Sequence, residues 1–597
     1  MAEYKAVQHR DIRRLLIANR GEIALRIMRT AHEMGIETIA VYGDGEEHAR
    51  HVLYATEAYR IGDGDGLPYL RIDRILEIAR NANADAIHPG YGFLSENPRF
   101  VHAVEEAGFI FVGPPAHAME QLGDKISARK LALEAGVSPV PGTRDAVETI
   151  EDARRIAAEI GYPIAVKATA GGGGRGFRVA HTPEELPSAF DSARGEADRY
   201  FSNPDVFFER YVANPRHIEV QVFGAADGRV IAFPERECSI QRRHQKLIEE
   251  TPSTVVTPEL RAKLQDAAVR LAIAANYTNV GTVEFLLDEN GEFYFMEINA
   301  RVQVEHTITE MVTGYDIVKE QFRAAMGLPP TFESDRLIPN GHAIECRINA
   351  EDPADDFRPY PETIRSVVRP IGFGVRVDSS LQSGDTISDR YDSLISKLIT
   401  WGRTRDEAIA RMRRSLIDYE VSDAPTTIPF HLRVLDIPEF QQGITYTSFL
   451  ETHHDAIFDG LVSPAIVQND DAAESDPPTP MLMEVNGHRF DVKVFGMPTL
   501  AVASANPKAA HAKKHKAKKA AAHIDNARDV VSPGQGTVLR VEVAVGQQVN
   551  AGELLCVVES MKMENEILAP HAGTVAVVGV EKGQSVSRGH VLVSIDA

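Results

Sequence analysis

The sequence is short of cysteine, of positive charge and of long apolar runs, and each shortage closes off a class of protein. Cys238, Cys346 and Cys556 are the 3 cysteines in 597 residues. They lie far apart and match no metal-ligand spacing, so they read as reduced thiols and not as a disulfide set. Against 86 aspartates and glutamates stand 64 lysines and arginines, a net charge of −22 that disfavours nucleic acid as the main partner. No apolar run approaches the ~20 residues that span a bilayer. The opening MAEYKAVQHRDIRR lacks the apolar core of a signal peptide, and its Glu3 and Asp11 weigh against an organellar address. The expectation is a cytoplasmic protein with neither membrane nor nucleic acid as partner. The GxxxxGK[ST] phosphate loop is also missing.

What is present is a folded chain too long for one core, with 43% apolar and 7% aromatic residues. RRLLIANRGEIALRIMRTAHEMGIETIAVYG reads as strand, glycine turn, helix and strand, and ADAIHPG repeats the strand-then-turn theme. This predicts an α/β start on a parallel sheet. The α/β texture runs to about residue 455 and gives way to NDDAAESDPPTP, a Pro-rich acidic linker. A short hairpin around Asn486-Gly487 follows. The next stretch, ASANPKAAHAKKHKAKKAAAH, reads as a solvated tether; a nucleic-acid patch is the other reading, weakened by the lack of interleaved aromatics. The last block repeats itself: Pro533, Gly536, Val538, Gly546, Val549, Gly552 and Leu555 recur 37 residues on as Pro570, Gly573, Val575, Gly583, Val586, Gly589 and Leu592. Two such halves predict a small flattened β-barrel, with Lys562 of ESMKMEN exposed in the turn between them.

Three stretches carry chemistry. In PIAVKATAGGGGRGFRV a buried strand ends at Lys167, a turn holds Gly171 to Gly174 and Gly176, and a strand returns. Glycines let backbone N–H groups approach phosphate oxygens and the lysine adds a point charge; a plain surface hairpin is the alternative. Lys125 in GDKISA is a second such lysine. In GTVEFLLDENGEFYFMEINARVQVEH two strands flank the turn DENG. Counting from that turn puts Glu284 opposite Phe295, with Glu297 as its diagonal neighbour on the same face. Buried carboxylates need a partner, either Mg²⁺ beside phosphates, with Asn299 adding an oxygen, or structural groups. Arg301, Gln303 and Glu305 alternate, which on a strand projects all three to one side, an anion stabiliser and a base together. Finally, RECSIQRRHQKLIEE gathers Arg242, Arg243, His244 and Lys246: an anion site or a solvated charged face.

In order, IANRGEIA, HPGYGFLSEN, GDK, KATAGGGGRGFRV, NPRHIEVQV, QRRHQK, VEFL, MEINARVQVEH, ECRINAEDP and YDSLISKL resemble the biotin carboxylases of the ATP-grasp fold, over residues 12–455. ESMKMEN within its repeat resembles the biotin carboxyl carrier domain. The resemblance implies five segments: a Rossmann-like N-terminal domain (12–125), an ATP-grasp domain with a glycine-rich lid (126–340), a C-terminal α+β domain (341–455), a linker with a short β element and the lysine-rich tether (456–525), and an all-β biotinyl barrel (526–597). It also implies roles. Lys125, Lys167, Gly172, Gly173, Gly174, His217, Gln241 and His244 contact ATP, with Glu209 and Val212 at the adenine. Glu284, Glu297 and Asn299 hold Mg²⁺ or Mn²⁺. Lys246, Arg301, Gln303 and Val304 form the bicarbonate site, Glu305 is the base, and Tyr91 and Arg347 surround the biotin ureido group. Lys562 carries the biotin. Departures are Arg210 where lysine is frequent, FRPYPETI, SPGQGTV, and Ser560 where alanine is usual.

Such a chain resembles the α subunit of an acyl-CoA carboxylase of the acetyl-/propionyl-CoA type. Its expected partners are a separate carboxyltransferase β subunit, since no transferase domain is visible, a biotin protein ligase, and a second copy in a homodimer. The alternatives are the matching subunit of a split pyruvate or methylcrotonyl-CoA carboxylase and, in another class, a non-catalytic lipoyl-like scaffold. Lipoyl lysines, however, sit in a D-K-A context without flanking methionines.

Overall fold

The computed structural model describes residues 9–62, 67–143, 145–169, 176–201, 203–463, 479–485, 488–494, 528–532, 536–560, 563–586 and 589–596. Gly172, Gly173, Gly174, Asn486-Gly487, the tether and Lys562 lie outside these. The chain divides into two units, Met1–Ser463 and Pro464–Ala597.

The first unit opens as its sequence predicts. Strands β1 (Arg14–Ile17), β2 (Glu37–Tyr42), β3 (Glu57–Arg60), β4 (Ala86–His88) and β5 (Ile110–Phe111) form a parallel sheet ordered β3-β2-β1-β4-β5. RLLI and AIH are apolar runs because both faces of such a sheet are covered. The strand order reverses between β1 and β4, the place where open α/β sheets form a crevice. Asn19, just past β1, donates from Nδ2 to the carbonyls of Pro89 (2.7 Å) and Tyr91 (2.8 Å), tying the two crevice loops together.

A small three-stranded sheet follows, β7-β6-β8, from β6 (Ile164–Ala168), β7 (Phe177–Ala180) and β8 (Val206–Arg210). It has its own core, in which Ile164, Val166, Phe190 and Phe208 meet the helices Ile150–Ile160 and Leu186–Phe201. The antiparallel pair β6/β7 matches the expected hairpin.

The largest element is an eight-stranded antiparallel sheet. It contains β9 (Arg216–Gly224), β10 (Val230–Arg242), β11 (Gln245–Thr251), β12 (Asn279–Leu287), β13 (Phe293–Asn299) and β14 (His342–Asn349), ordered β13-β12-β9-β10-β11-β14 and extended by Leu394–Gly402 and Val375–Ser379. It runs across position 340, because β11 pairs with β14 from Ile248↔Cys346 to Thr251↔Ala343. The segments on either side of that position therefore share one sheet, and the helix His454–Phe458 continues past residue 455. The three cysteines are free and buried.

In the second unit, Thr479–Val485 and His488–Val494 pair antiparallel, as the hairpin signal predicts. The 37-residue repeat is a structural one. Gly536–Val541, Gln548–Val549 and Leu554–Ser560 recur as Gly573–Val578, Ser585–Val586 and Val591–Asp596. Each half lends its short strand to the other: Gln548–Val549 pairs with Gly573–Val578, and Ser585–Val586 with Gly536–Val541. Val538, Val549 and Leu555 are buried, as are Val575, Val586 and Leu592. Ser560 pairs with Met563, so Lys562 falls between the strand that ends one half and the strand that begins the next.

The repeated glycines are where the halves close. A Cβ at Gly536 would lie 2.2 Å from the Glu559 carbonyl oxygen, and one at Gly573 2.3 Å from that of Asp596. Gly573→Ala should therefore destabilise the barrel by about 1–3 kcal/mol, seen as a lower urea midpoint for hydrogen-exchange protection in 528–596. An unchanged midpoint would mean that the strands separate without cost.

Candidate active site

A row of charge crosses the large sheet. In register across β13, β12, β9 and β10 stand Glu297, Glu284, Glu219 and Arg236. This corrects the turn-counted register: a bulge between Glu284 and Phe285 places Glu284 directly opposite Glu297, and Phe295 opposite Phe285. Arg236 and Glu219 are fully buried and paired, and the guanidinium also donates to Gln221 (3.0 Å) and Thr309 (2.9 Å). Removing one partner of such a pair costs roughly 3–5 kcal/mol, so Arg236 fixes Glu219 in place.

Lys246 of β11 reaches into this row. Its Nζ lies 2.5 Å from Glu219, 3.0 Å from Glu284 and 2.7 Å from Glu305. Burial alone would favour its neutral form, but the three carboxylates outweigh that and hold its pKa well above the ordinary value. Glu305 also receives Arg347 Nη2 at 3.0 Å, and Arg347 is held in turn by Glu249 at 2.6 Å. Burial raises the Glu305 pKa, yet Lys246, Arg347 and Arg236 lower it by more, so the carboxyl is well below the usual range and ionised.

Arg301, Gln303 and Glu305 do not alternate along a strand, which corrects the expectation. β13 ends at Asn299, the chain bends, and Glu305 precedes the helix His306–Thr313. The bend still gathers them. Arg301 donates from Nε to Glu96 (2.8 Å), from Nη1 to Gln303 Oε1 (2.8 Å) and from Nη2 to Asn299 Oδ1 (3.1 Å). Gln303 Nε2 is buried with no hydrogen-bond partner among the described residues, a donor free for an anion. Lys246, Arg301 and this amide offer an oxyanion the donors that it needs.

The residues expected on the nucleotide side are spread over the small sheet, the large sheet and the helix Lys125–Glu134. Lys167, next to last in β6, pairs with Glu209 of β8, which Arg129 also holds. His244 sits at the β10/β11 turn with φ 64°, its ring edge-on to Phe177 of β7 at 5.7 Å. Gln241 is in register with Lys246. His217 Nε2 lies 3.1 Å from Glu284, Lys125 begins the helix Lys125–Glu134, and Val212 follows β8. The basic cluster divides: Arg242 and Arg243 turn away to Asp356, while Lys246 enters the carboxylate row. Tyr91, in the sheet crevice, donates its hydroxyl to Glu22.

The pair Glu284/Glu297 fits a divalent cation. Glu297 makes no hydrogen bond to a described residue, and burial and Glu284 together raise its pKa; it therefore stands under-compensated opposite Glu284, whose own carboxylate Lys246 and His217 hold ionised. Asn299 Nδ2 donates to Glu284 at 3.0 Å; an amide flip would turn its oxygen to the same place.

Family models match residues 11–119 (biotin carboxylase, N-terminal domain), 124–331 (carbamoyl-phosphate synthase L chain, ATP binding domain), 345–452 (biotin carboxylase C-terminal domain) and 528–595 (biotin-requiring enzyme). The biotin-dependent acyl-coenzyme A carboxylase alpha3 subunit of Mycobacterium leprae is 41% identical over 567 residues, covering 93% of this chain and 94% of that one. The chain belongs to the biotin carboxylase family. It joins a biotin carboxylase to a biotin carrier domain, and its reaction is the ATP-dependent carboxylation of biotin. A pyruvate carboxylase subunit of Methanothermobacter thermautotrophicus is 50% identical over 445 residues, 74% of this biotin carboxylase and 90% of that protein. The biotin carboxylase domain dimer of Hydrogenobacter thermophilus 2-oxoglutarate carboxylase, solved with MgADP, ADP and bicarbonate, superposes with a TM-score of 0.73 at 46% identity, covering 75% of this chain and 99% of that one. Among the described residues no helix is long and apolar enough to cross a membrane.

Glu219, Glu96, Glu249, Glu22 and Lys397 escape the sequence reading, although each touches a site residue. Glu219 alternates with Ile218, Val220 and Val222 in RHIEVQV, a pattern that reads as the polar face of a strand, although the structure buries both faces.

Proposed function

We propose that this biotin carboxylase is the α subunit of an acyl-CoA carboxylase, loading biotin on Lys562 and passing the carboxyl group to a separate carboxyltransferase subunit. The observation that carries this is the 93% and 94% mutual coverage with an acyl-CoA carboxylase α subunit, which includes the carrier barrel; the match to the more identical pyruvate carboxylase component spans 74% of the chain.

The site residues take the following roles. Glu305, kept ionised by Lys246 and Arg347, accepts the bicarbonate proton. Lys246, Arg301 and the free Gln303 amide hold the resulting anion, beside the Val304 backbone. Lys125, Lys167, His217, Gln241 and His244 bind the phosphates of ATP, with Glu209 and Val212 at its base and the 172–174 glycines over it. Glu284, Glu297 and Asn299 would hold Mg²⁺. Tyr91 and Arg347 orient the ureido group, and Arg301 stabilises negative charge there. Bound Mg²⁺ supplies charge neutralisation at the phosphates, and biotin supplies the nitrogen that is carboxylated.

The acceptor is tested by assaying the complex purified with its transferase against acetyl-CoA, propionyl-CoA, methylcrotonyl-CoA, pyruvate and 2-oxoglutarate. The reading expects fixation of labelled bicarbonate into acetyl- or propionyl-CoA. Fixation into pyruvate or 2-oxoglutarate alone would replace it.

A further inference from the structure

Lys397 is fully buried, on the strand Leu394–Gly402 next to β14, and it is in register with Arg347. A buried ammonium persists only where its partners compensate it, and both of its hydrogen-bond-distance partners lead to the active site. Its Nζ lies 3.0 Å from Glu22 Oε1 and 3.0 Å from the carbonyl oxygen of Val304. The same Glu22 oxygen accepts the Tyr91 hydroxyl, and the ammonium stands 5.9 Å from the centre of the Tyr91 ring. Glu22 opens the helix that follows β1, so its place is set by the crevice. The other Glu22 oxygen is buried with no hydrogen-bond partner among the described residues, so among them the carboxylate is held by the lysine and the tyrosine.

One ion pair thus fastens two halves of the reaction. Lys397 fixes the peptide between Gln303 and Glu305, the bend that carries the bicarbonate groups. Glu22 fixes Tyr91, at the ureido side. We propose that Glu22 and Lys397 are positioning residues that set the bicarbonate bend and the biotin crevice at a constant separation. A salt bridge there locks the register of the two sites, as outer groups hold the inner ones elsewhere. This rests on the site roles given above. It leaves the nucleotide residues Lys125, Lys167 and Glu209 outside the pair's contacts, and that separation makes the inference testable.

The experiment is steady-state bicarbonate-dependent ATP hydrolysis by the full chain, with free biotin as the varied acceptor, for Glu22→Gln, Lys397→Arg and Lys397→Met. Glu22→Gln keeps the shape and removes the charge; it should raise the KM for free biotin about tenfold or more, with the KM for MgATP within about twofold of wild type. Lys397→Met should raise the KM for bicarbonate by a similar factor, and Lys397→Arg should restore part of it. Should Lys397→Met not fold, Glu22→Gln and Lys397→Arg carry the test. A loss of active fraction and thermal midpoint with every KM unchanged would make the pair a structural brace only and overturn the inference. Glu305→Gln is the control: if it also leaves the rate intact, the site reading itself fails, whereas a collapse there beside unchanged KM values in the pair variants refutes this inference alone.

Discussion

Lys562→Ala yields a chain that streptavidin no longer detects and that delivers no carboxyl group to an acyl-CoA or 2-oxo acid through the carboxyltransferase. The loss is complete because the barrel offers one such position: the end of Leu554–Ser560 and the start of Met563–Leu568 bracket it, at the join of the two repeated halves. The lysine is a nucleophile for acylation by the ligase, and the barrel's other lysine, Lys582 in VEKGQS, has no flanking methionines. The carboxylase half of the variant should be unaffected, and so it should still carboxylate free biotin at the wild-type rate. Retained streptavidin labelling would place the biotin elsewhere, and loss of the free-biotin reaction would show that the two units do not work independently.

Glu305→Gln comes next in size. The replacement is isosteric and can still meet Lys246 and Arg347, so the fold should hold. It can no longer take a proton, and the two cations lose the charge that they share. General-base removal costs on the order of 100- to 10,000-fold, so bicarbonate-dependent ATP hydrolysis should fall at least ~100-fold at an unchanged thermal midpoint. Arg301→Ala should follow in the same direction by well over tenfold, or more than ~1.4 kcal/mol. The depressed pKa adds a sign. A carboxyl held below its ordinary value stays ionised as pH falls, so an acid limb of the rate profile near neutrality cannot come from Glu305. A variant near the wild-type rate would remove Glu305 from the reaction.

Local pattern carried much of this. The parallel opening sheet, the Lys167 hairpin and the barrel repeat were all legible, because each depends on residues near one another: apolar runs, glycine turns, a constant offset of 37 that the paired strands reproduce. Counting from the turn misplaces the Glu284/Glu297 register because it assumes a regular ladder, and a bulge is silent in the residues that flank it. The alternation over 301–305 predicts a strand, yet a hydrogen bond from Arg301 to Glu96, 205 residues away, helps fix a bend. Glu249, Glu22 and Lys397 were invisible for the same reason. Their contacts join elements far apart in sequence, β11 to β14 for Glu249 and the helix Gly21–Glu33 to the strand Leu394–Gly402 for Glu22 and Lys397.

The central claim is that one chain both activates bicarbonate and carries the product on its own lysine. Incubating the biotinylated full chain with MgATP and carbon-14 bicarbonate, then desalting it quickly, measures this directly. The account predicts label retained on the protein, released by acid, and absent from Lys562→Ala, from Glu305→Gln and from reactions without ATP. Label that survives in Lys562→Ala, or none on the wild-type chain despite full biotinylation, would contradict it.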